Sequence, residues 1–463
     1  MLGWLAVLCV AVLLLAVTWC ALCKLSSGAD GGRRTDAAGT CNSSSSSAEL
    51  VCKPSALAKH LLKTCTSFAD YAPCAAWTWR AGAVLWSAYE ACSGGGSKVH
   101  FARDHLQLSD GGLVALDWAF PKYQKRRRTS GQSASPVLLI IPNSFGKITR
   151  NVLQLCQTSL SHGYLPVVLN RRGHNGTALT TLKLQQFGDP ADLREAVRYI
   201  RYRQPAGKLY AVSESTGCGL LLSYLGECGS SSYVTAAACL SPILRCQSWF
   251  ESGLCWPLER ALVLYQKMCL SRYKTALSAS VNTDRLFATT TLRGLEEALF
   301  CRPPLADPTG TCASWEAYWE CNEPLRDVDE VATPVLSICA RDDPIRGDAS
   351  STVPRELFES NPHLFLLLTD RGGHCGFSEG TSAAPKCATG NWSHRALLEF
   401  FRATANFMAA EERAKQLAAR RRVLGAGTGG RVFRHRSVST CKQVPACSHN
   451  IHAIYNWQRS YTR

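Results

Sequence analysis

Long apolar runs are scarce in this sequence of 463 residues. Only residues 2–23 stay apolar for long enough to span a bilayer, which excludes a polytopic membrane protein. Charge is modest at 19%, against 46% hydrophobic residues, so neither wholesale disorder nor a collagen-like fibre fits. Zinc-ligand spacing is absent: the one C-x-x-C, Cys20 to Cys23, sits inside the apolar run, a poor place for a metal. The 23 cysteines fall short of a disulfide scaffold, and their odd number argues against a fully paired secreted framework. No phosphate-binding glycine loop appears, so no cofactor and no metal is expected. Acidic residues are missing altogether from Arg413 onward, where 11 Lys and Arg supply most of the net charge of +16. A basic tail of this kind suits anionic lipid, and nothing else in the chain reads as a nucleic-acid fold, so no nucleic acid is expected.

What is present begins with that N-terminal run. Its 22 residues reach ~33 Å as a helix, enough to cross the hydrocarbon core. It has no basic start and no small-x-small cleavage site, so an uncleaved anchor is favoured over a cleaved signal segment. Lys24, Arg33 and Arg34 follow the run and predict a single-pass membrane protein of the endomembrane system with its body in the cytosol. The alternative is a protein secreted after signal cleavage. Cys20 and Cys23 would then lie at the cytosolic boundary, open to acylation. The sequons at Asn42, Asn175 and Asn391 matter only if the body faces the lumen.

The remaining organisation follows from periodicity. Residues 1–24 are the anchor or signal segment, and 25–48 form a Ser-, Gly- and Ala-rich linker. Residues 49–99 have helix-spaced apolar side chains and read as a helical lead-in. From residue 100 the pattern changes to a hairpin, 101–108 and 113–119, followed by short apolar runs at 137–141, 164–169, 209–212, 236–240, 335–339 and 364–368. Such runs suit strands buried on both faces, and helical patterns lie between them. The expected fold class is therefore α/β, a mostly parallel sheet with helices on both faces. Residues 243–330 interrupt the alternation and predict an inserted helical lid. The body ends near 410, and 411–463 form the basic tail.

Chemistry is concentrated after three of the apolar runs. Ser213-Glu214-Ser215-Thr216-Gly217 lies between a strand and an apolar helix, the context of a nucleophile elbow. Small residues are needed two before and two after the nucleophile. Gly217 fits, and Ser213 replaces the usual first glycine. Asp342 and Asp343 follow the run 335–339; Asp343 is the stronger acid candidate and Asp342 the alternative. His374 follows the run 364–368 on a Gly-rich loop and is the candidate base. The order Ser, Asp, His is the order this fold class requires. Thr216 is one candidate backbone donor for an oxyanion, and Ser144 or Phe145, after the run 137–141, the other. An H-x-x-x-x-D pattern at His105 and Asp110 falls on a strand and its turn and reads as coincidence.

The stretch Asn170-Arg171-Arg172-Gly173-His174-Asn175-Gly176, the segment 187–193, the elbow with its following helix, Ser241-Pro242, residues 340–344 and 372–377 together resemble the membrane-anchored α/β-hydrolase-domain lipases and esterases. The resemblance covers about residues 50 to 410. It implies an α/β-hydrolase fold, with Ser215 as nucleophile, Asp343 as acid and His374 as base, acting on ester bonds of lipids at a membrane. Relatives carry a Gly-rich turn where this chain has Pro142-Asn143-Ser144-Phe145-Gly146, and the altered elbow and turn motivate a rival reading. In that reading the protein is a weak or inactive hydrolase-fold scaffold that regulates lipid breakdown, for which the resemblance implies a cyclic-nucleotide phosphodiesterase as partner.

Overall fold

A computed structural model describes residues 48–71, 99–121, 135–146, 148–301, 312–377 and 391–425. Strands β1 (Glu49–Val51), β2 (Val99–Gln107), β3 (Leu113–Pro121), β4 (Val137–Ile141), β5 (Leu165–Asn170), β6 (Leu209–Glu214), β7 (Val234–Leu240), β8 (Val335–Ala340) and β9 (Leu364–Thr369) form one sheet. Their order is β1-β9-β8-β7-β6-β4-β5-β3-β2. The six from β5 to β9 in that order run parallel. The hairpin β2–β3 closes one side antiparallel, and β1 closes the other.

The parallel strands are buried on both faces: every residue of β4, β6, β8 and β9 is buried, and most are apolar. Alternation along each strand divides them between two cores. Val137, Leu139 and Ile141 of β4 face one core, and Leu138 and Ile140 face the other. Helix α1 (Ala56–Thr64) and helix α2 (Arg150–Ser161) cover the second face, with Leu61, Val152 and Leu155 in its core. Helices α3 (Ala191–Arg203) and α4 (Cys218–Cys228) cover the first, through Leu193, Val197, Leu221 and Leu225.

Between β7 and β8 lie α5 (Trp256–Ser271), α6 (Leu292–Phe300) and α7 (Trp315–Asn322), with shorter turns between them. They share a third, aromatic core in which Phe250, Trp315, Tyr318 and Trp319 stack edge-on or face-on at 5.3–6.3 Å. This is the expected lid insert. The segment before the hairpin opens with β1, a strand where a helical lead-in is expected. Its three residues cover the outer edge of β9 and satisfy backbone groups that would otherwise be exposed there.

The final helix, α8 (Trp392–Gly425), packs Leu397, Phe400 and Phe401 on the second face. Residues 410–420 of it are exposed and include Glu411, Glu412, Arg413 and Lys415. Among the described residues no helix is long and apolar enough to cross a membrane. This corrects the expected single-pass, endomembrane arrangement: the longest helix available carries charge that hydrocarbon would not accept. The apolar run 2–23 with Cys20 and Cys23, the linker up to residue 47 with Asn42, and the tail beyond 425 lie outside the described residues.

Candidate active site

Strand β6 delivers Ser215 at its carboxyl end, where ligands of parallel sheets bind. Ser215 has φ 52°, a left-handed conformation that a non-glycine residue holds only when its surroundings impose it. The turn passes at once into α4, and the flanking residues explain why it can. A Cβ at position 217 would lie 2.2 Å from the carbonyl oxygen of Pro142, so only glycine fits. Serine is accepted at position 213 because its Oγ donates to the Ile141 carbonyl at 3.0 Å. The replacement for the usual glycine is thus a bonded part of the sheet.

His374 lies on the loop after β9, with its Nε2 2.7 Å from Ser215 Oγ. Its Nδ1 is 2.9 Å from Asp343 Oδ2 and 3.0 Å from Oδ1. A carboxylate can only accept here, so Nδ1 carries the proton and Nε2 is left to accept from the Ser215 hydroxyl. Asp343 follows β8 and is fully buried. It also accepts the backbone N–H of Ile345 at 2.9 Å and of Arg346 at 3.0 Å, and the Arg346 guanidinium lies 3.8 Å away. Asp342 does a different job. It accepts the Gly373 N–H at 2.9 Å and so holds the base of the histidine loop, while burial pushes its carboxyl above the ordinary range.

Two further ties fix that loop. Ser241, after β7, accepts the Cys375 N–H at 2.9 Å. Glu214, buried beside the nucleophile, accepts from Asn151 Nδ2 at 2.6 Å, and Asn151 Oδ1 accepts from Asn391 Nδ2 at 2.8 Å. The Asn391 amide also reaches the carbonyls of Cys375 and Gly376 at 3.4 and 3.3 Å. The elbow and the histidine loop are therefore wired through one buried polar chain. Sequence reasoning assigned no role to Glu214, Asn151 or Ser241; a carboxylate inside a buried elbow was the available signal for the first.

The turn after β4 is tied to the elbow. The Ser144 N–H donates to Thr216 Oγ1 at 3.0 Å, and the Ser144 hydroxyl lies 2.8 Å from the same oxygen. That backbone donor is spent on holding the turn against the elbow. His105 and Asp110 do not act together: His105 is exposed on β2, and Asp110 pairs with Arg172 at 2.7 Å.

A cavity of about 110 Å³ adjoins the turn. Ser144 and Phe145 form one side and Phe250, Leu270 and Phe300 of the lid insert another. Its polar wall is Arg171, His174, Gln185 and Glu296. Arg171 and His174 have no role that the sequence pattern alone assigns; two consecutive arginines directly after a buried strand were the signal.

No family model matches the chain. It is 48% identical over 443 residues to Protein ABHD15 of Homo sapiens, covering 94% of this chain and 91% of that protein. It is 28% identical over 294 residues to Phospholipase ABHD3 of Mus musculus, covering 61% of this chain and 67% of that one. Against Monoacylglycerol lipase ABHD2 of Homo sapiens it is 22% identical over 373 residues, with coverage of 76% and 84%. Neither a membrane nor a phosphodiesterase partner finds support in these likenesses.

Proposed function

Because the chain belongs to the ABHD family of α/β-hydrolase-domain proteins, we propose that its body, residues 100–410, hydrolyses acyl esters of lipids through Ser215, His374 and Asp343. The observation that carries the reading is the 2.7 Å approach of His374 Nε2 to Ser215 Oγ, with Asp343 at 2.9 Å on the far side of the ring. As Ser215 Oγ attacks the acyl carbon, its proton passes to Nε2, and Asp343 orients and stabilises the imidazolium. The developing oxyanion meets the N–H groups of Thr216 and Phe145. Collapse breaks the ester bond, and the leaving alkoxide takes the proton from Nε2. Water then attacks the acyl carbon, losing its proton to the same nitrogen; the bond to Ser215 Oγ breaks, Oγ takes that proton back from Nε2, and the free acid departs. The relatives named for phospholipid and monoacylglycerol substrates support a lipid ester.

One observation favours the rival scaffold reading: the Ser144 N–H is committed to Thr216 and cannot bind an oxyanion as placed. A fluorophosphonate probe separates the two. Wild type is expected to label, and Ser215→Ala and His374→Ala are not. A folded wild type that fails to label, while a control hydrolase does, overturns the catalytic reading and leaves the scaffold.

A further inference from the structure

Arg171 follows β5 directly and is 6% exposed. Its Nε and one Nη have no hydrogen-bond partner. The neighbouring acids are taken by Arg172, which holds Asp192 through Nε and Nη2 at 2.7 Å each and Asp110 at 2.7 Å. The carboxyl on the cavity wall, Glu296, accepts the Tyr318 hydroxyl at 2.6 Å, and burial pushes its pKa up to about 7. Glu296 therefore attracts Arg171 only in part and makes no hydrogen bond to its Nε. Asp192 and Glu296 attract Arg171 at a distance but do not bond its Nε and Nη, and a buried guanidinium short of hydrogen bonds is disfavoured, so those donors suit an anion brought from outside.

The same wall holds more unspent capacity. His174 Nδ1 is buried without a partner, and burial beside Arg171 holds its imidazole neutral, with a pKa down to about 4. The Nδ1–H tautomer donates. Gln185 Oε1 is likewise unpartnered, since its amide nitrogen serves the Asp189 carbonyl at 2.9 Å. The wall is stiff: Gly146 has φ 73°, and a Cβ there would lie 2.4 Å from the His174 ring. From the lid side, the Tyr273 hydroxyl donates to the Gly173 carbonyl at 3.0 Å. The cavity is several times larger than one ordered water needs.

We propose that this cavity is an anion subsite for a phosphate-bearing head group, with Arg171 Nε and Nη and His174 Nδ1 donating to phosphate oxygens and Gln185 Oε1 accepting from a head-group hydroxyl. The proposal rests on the hydrolase reading, because Ser144 and Phe145 form both the cavity wall and the turn beside Ser215. Three unspent donors match the oxygens of a phosphate more fully than the two of a carboxylate. The substrate class is then an acylglycerol phosphate or lysophospholipid, cleaved at Ser215 while its phosphate is held under the lid.

The test uses the full chain and reads binding separately from chemistry. Calorimetry on Ser215→Ala measures binding of glycerol 3-phosphate, inorganic phosphate and oleate. Hydrolysis by wild type, Arg171→Gln and Arg171→Lys is measured on 1-acyl-glycerol 3-phosphate and on the 1-acyl-glycerol of the same chain. The expected result is that Ser215→Ala binds glycerol 3-phosphate more tightly than inorganic phosphate, and that adding Arg171→Gln abolishes it. The ratio of kcat/KM between the phosphorylated and neutral esters is expected to fall about 10- to 100-fold in Arg171→Gln, as for a lost charge-assisted bond, and less in Arg171→Lys. Equal binding of inorganic phosphate, a preference for oleate, or an unchanged ratio overturns the head-group assignment. Arg171-dependent binding in a protein that fluorophosphonate does not label would sink the catalytic reading and leave the subsite standing. Labelling without any anion binding would do the reverse.

Discussion

The Ser215 constellation and the cavity beside it are built from similar buried polar residues but are finished differently. At the constellation the reacting groups and the residues that hold them are bonded to one another. Ser215, His374 and Asp343 are in contact, Asp342 and Ser241 hold the histidine loop, and Glu214 joins elbow to loop through Asn151 and Asn391. Across the oxyanion turn, Arg171, His174 and Gln185 are buried with atoms unbonded. The two buried arginines show the contrast by degree. Arg346 leaves its Nε unbonded but donates to the Ala340 carbonyl and, at 2.7 Å, to Thr352 Oγ1; Arg171 has no such anchors. A completed network rigidifies a site before any ligand arrives, whereas an incomplete one stores binding capacity at the expense of stability.

The largest effect should come from breaking the completed side. Ser215→Ala and His374→Ala are each expected to lower kcat on a lipid ester by roughly 10⁴-fold or more, and Asp343→Asn by roughly 10³–10⁴-fold, with melting curves showing that the fold persists. A second test sets the arginines against each other in denaturant unfolding. Arg346→Met should destabilise by about 3 kcal/mol, because it strands groups around Asp343, while Arg171→Met should stabilise by about 1 kcal/mol. The same sign for both would erase the distinction drawn here.

A third test is pH. The Glu296 carboxyl is raised from the usual 4.5 to about 7 by burial, so the folded protein retains a proton that the unfolded chain releases. Its contribution is fully present below about 4.5 and is lost as pH rises through about 7. Glu296→Gln keeps a group that can accept the Tyr318 hydroxyl bond and removes the penalty. It should raise the melting temperature at pH 8 by a few degrees, for up to about 3 kcal/mol, and leave it nearly unchanged at pH 5. The smallest effect is expected at the boundary of the two regions. Thr216→Val removes the oxygen that Ser144 uses, and should lower kcat by roughly 10-fold through a loosened turn.

Much of the architecture was legible because strands buried on both faces leave a short continuous apolar signal. The run at 137–141 coincides with β4, and the others lie within a residue or two of their strands. The order of elbow, acid and histidine loop was readable for a related reason: each lies at the carboxyl end of such a strand. Strand β1 was not legible, since three residues have no periodicity and gain their meaning from the open edge of β9. The membrane arrangement was inferred from one apolar run, and among the described residues no helix is long and apolar enough to cross a membrane.

By itself, then, the sequence determined the α/β class, the strand positions, the lid insert and which serine, acid and histidine stand at strand ends. These follow from local pattern, because alternation, apolar runs and turn residues are written in neighbouring positions. Only the tertiary structure decided that Asp343 and not Asp342 faces His374, that the Ser144 N–H is spent on Thr216, and that Arg172 takes the acids which Arg171 then lacks. Those outcomes depend on which side chains from distant parts of the chain compete for the same partner, and that competition is settled by packing in three dimensions.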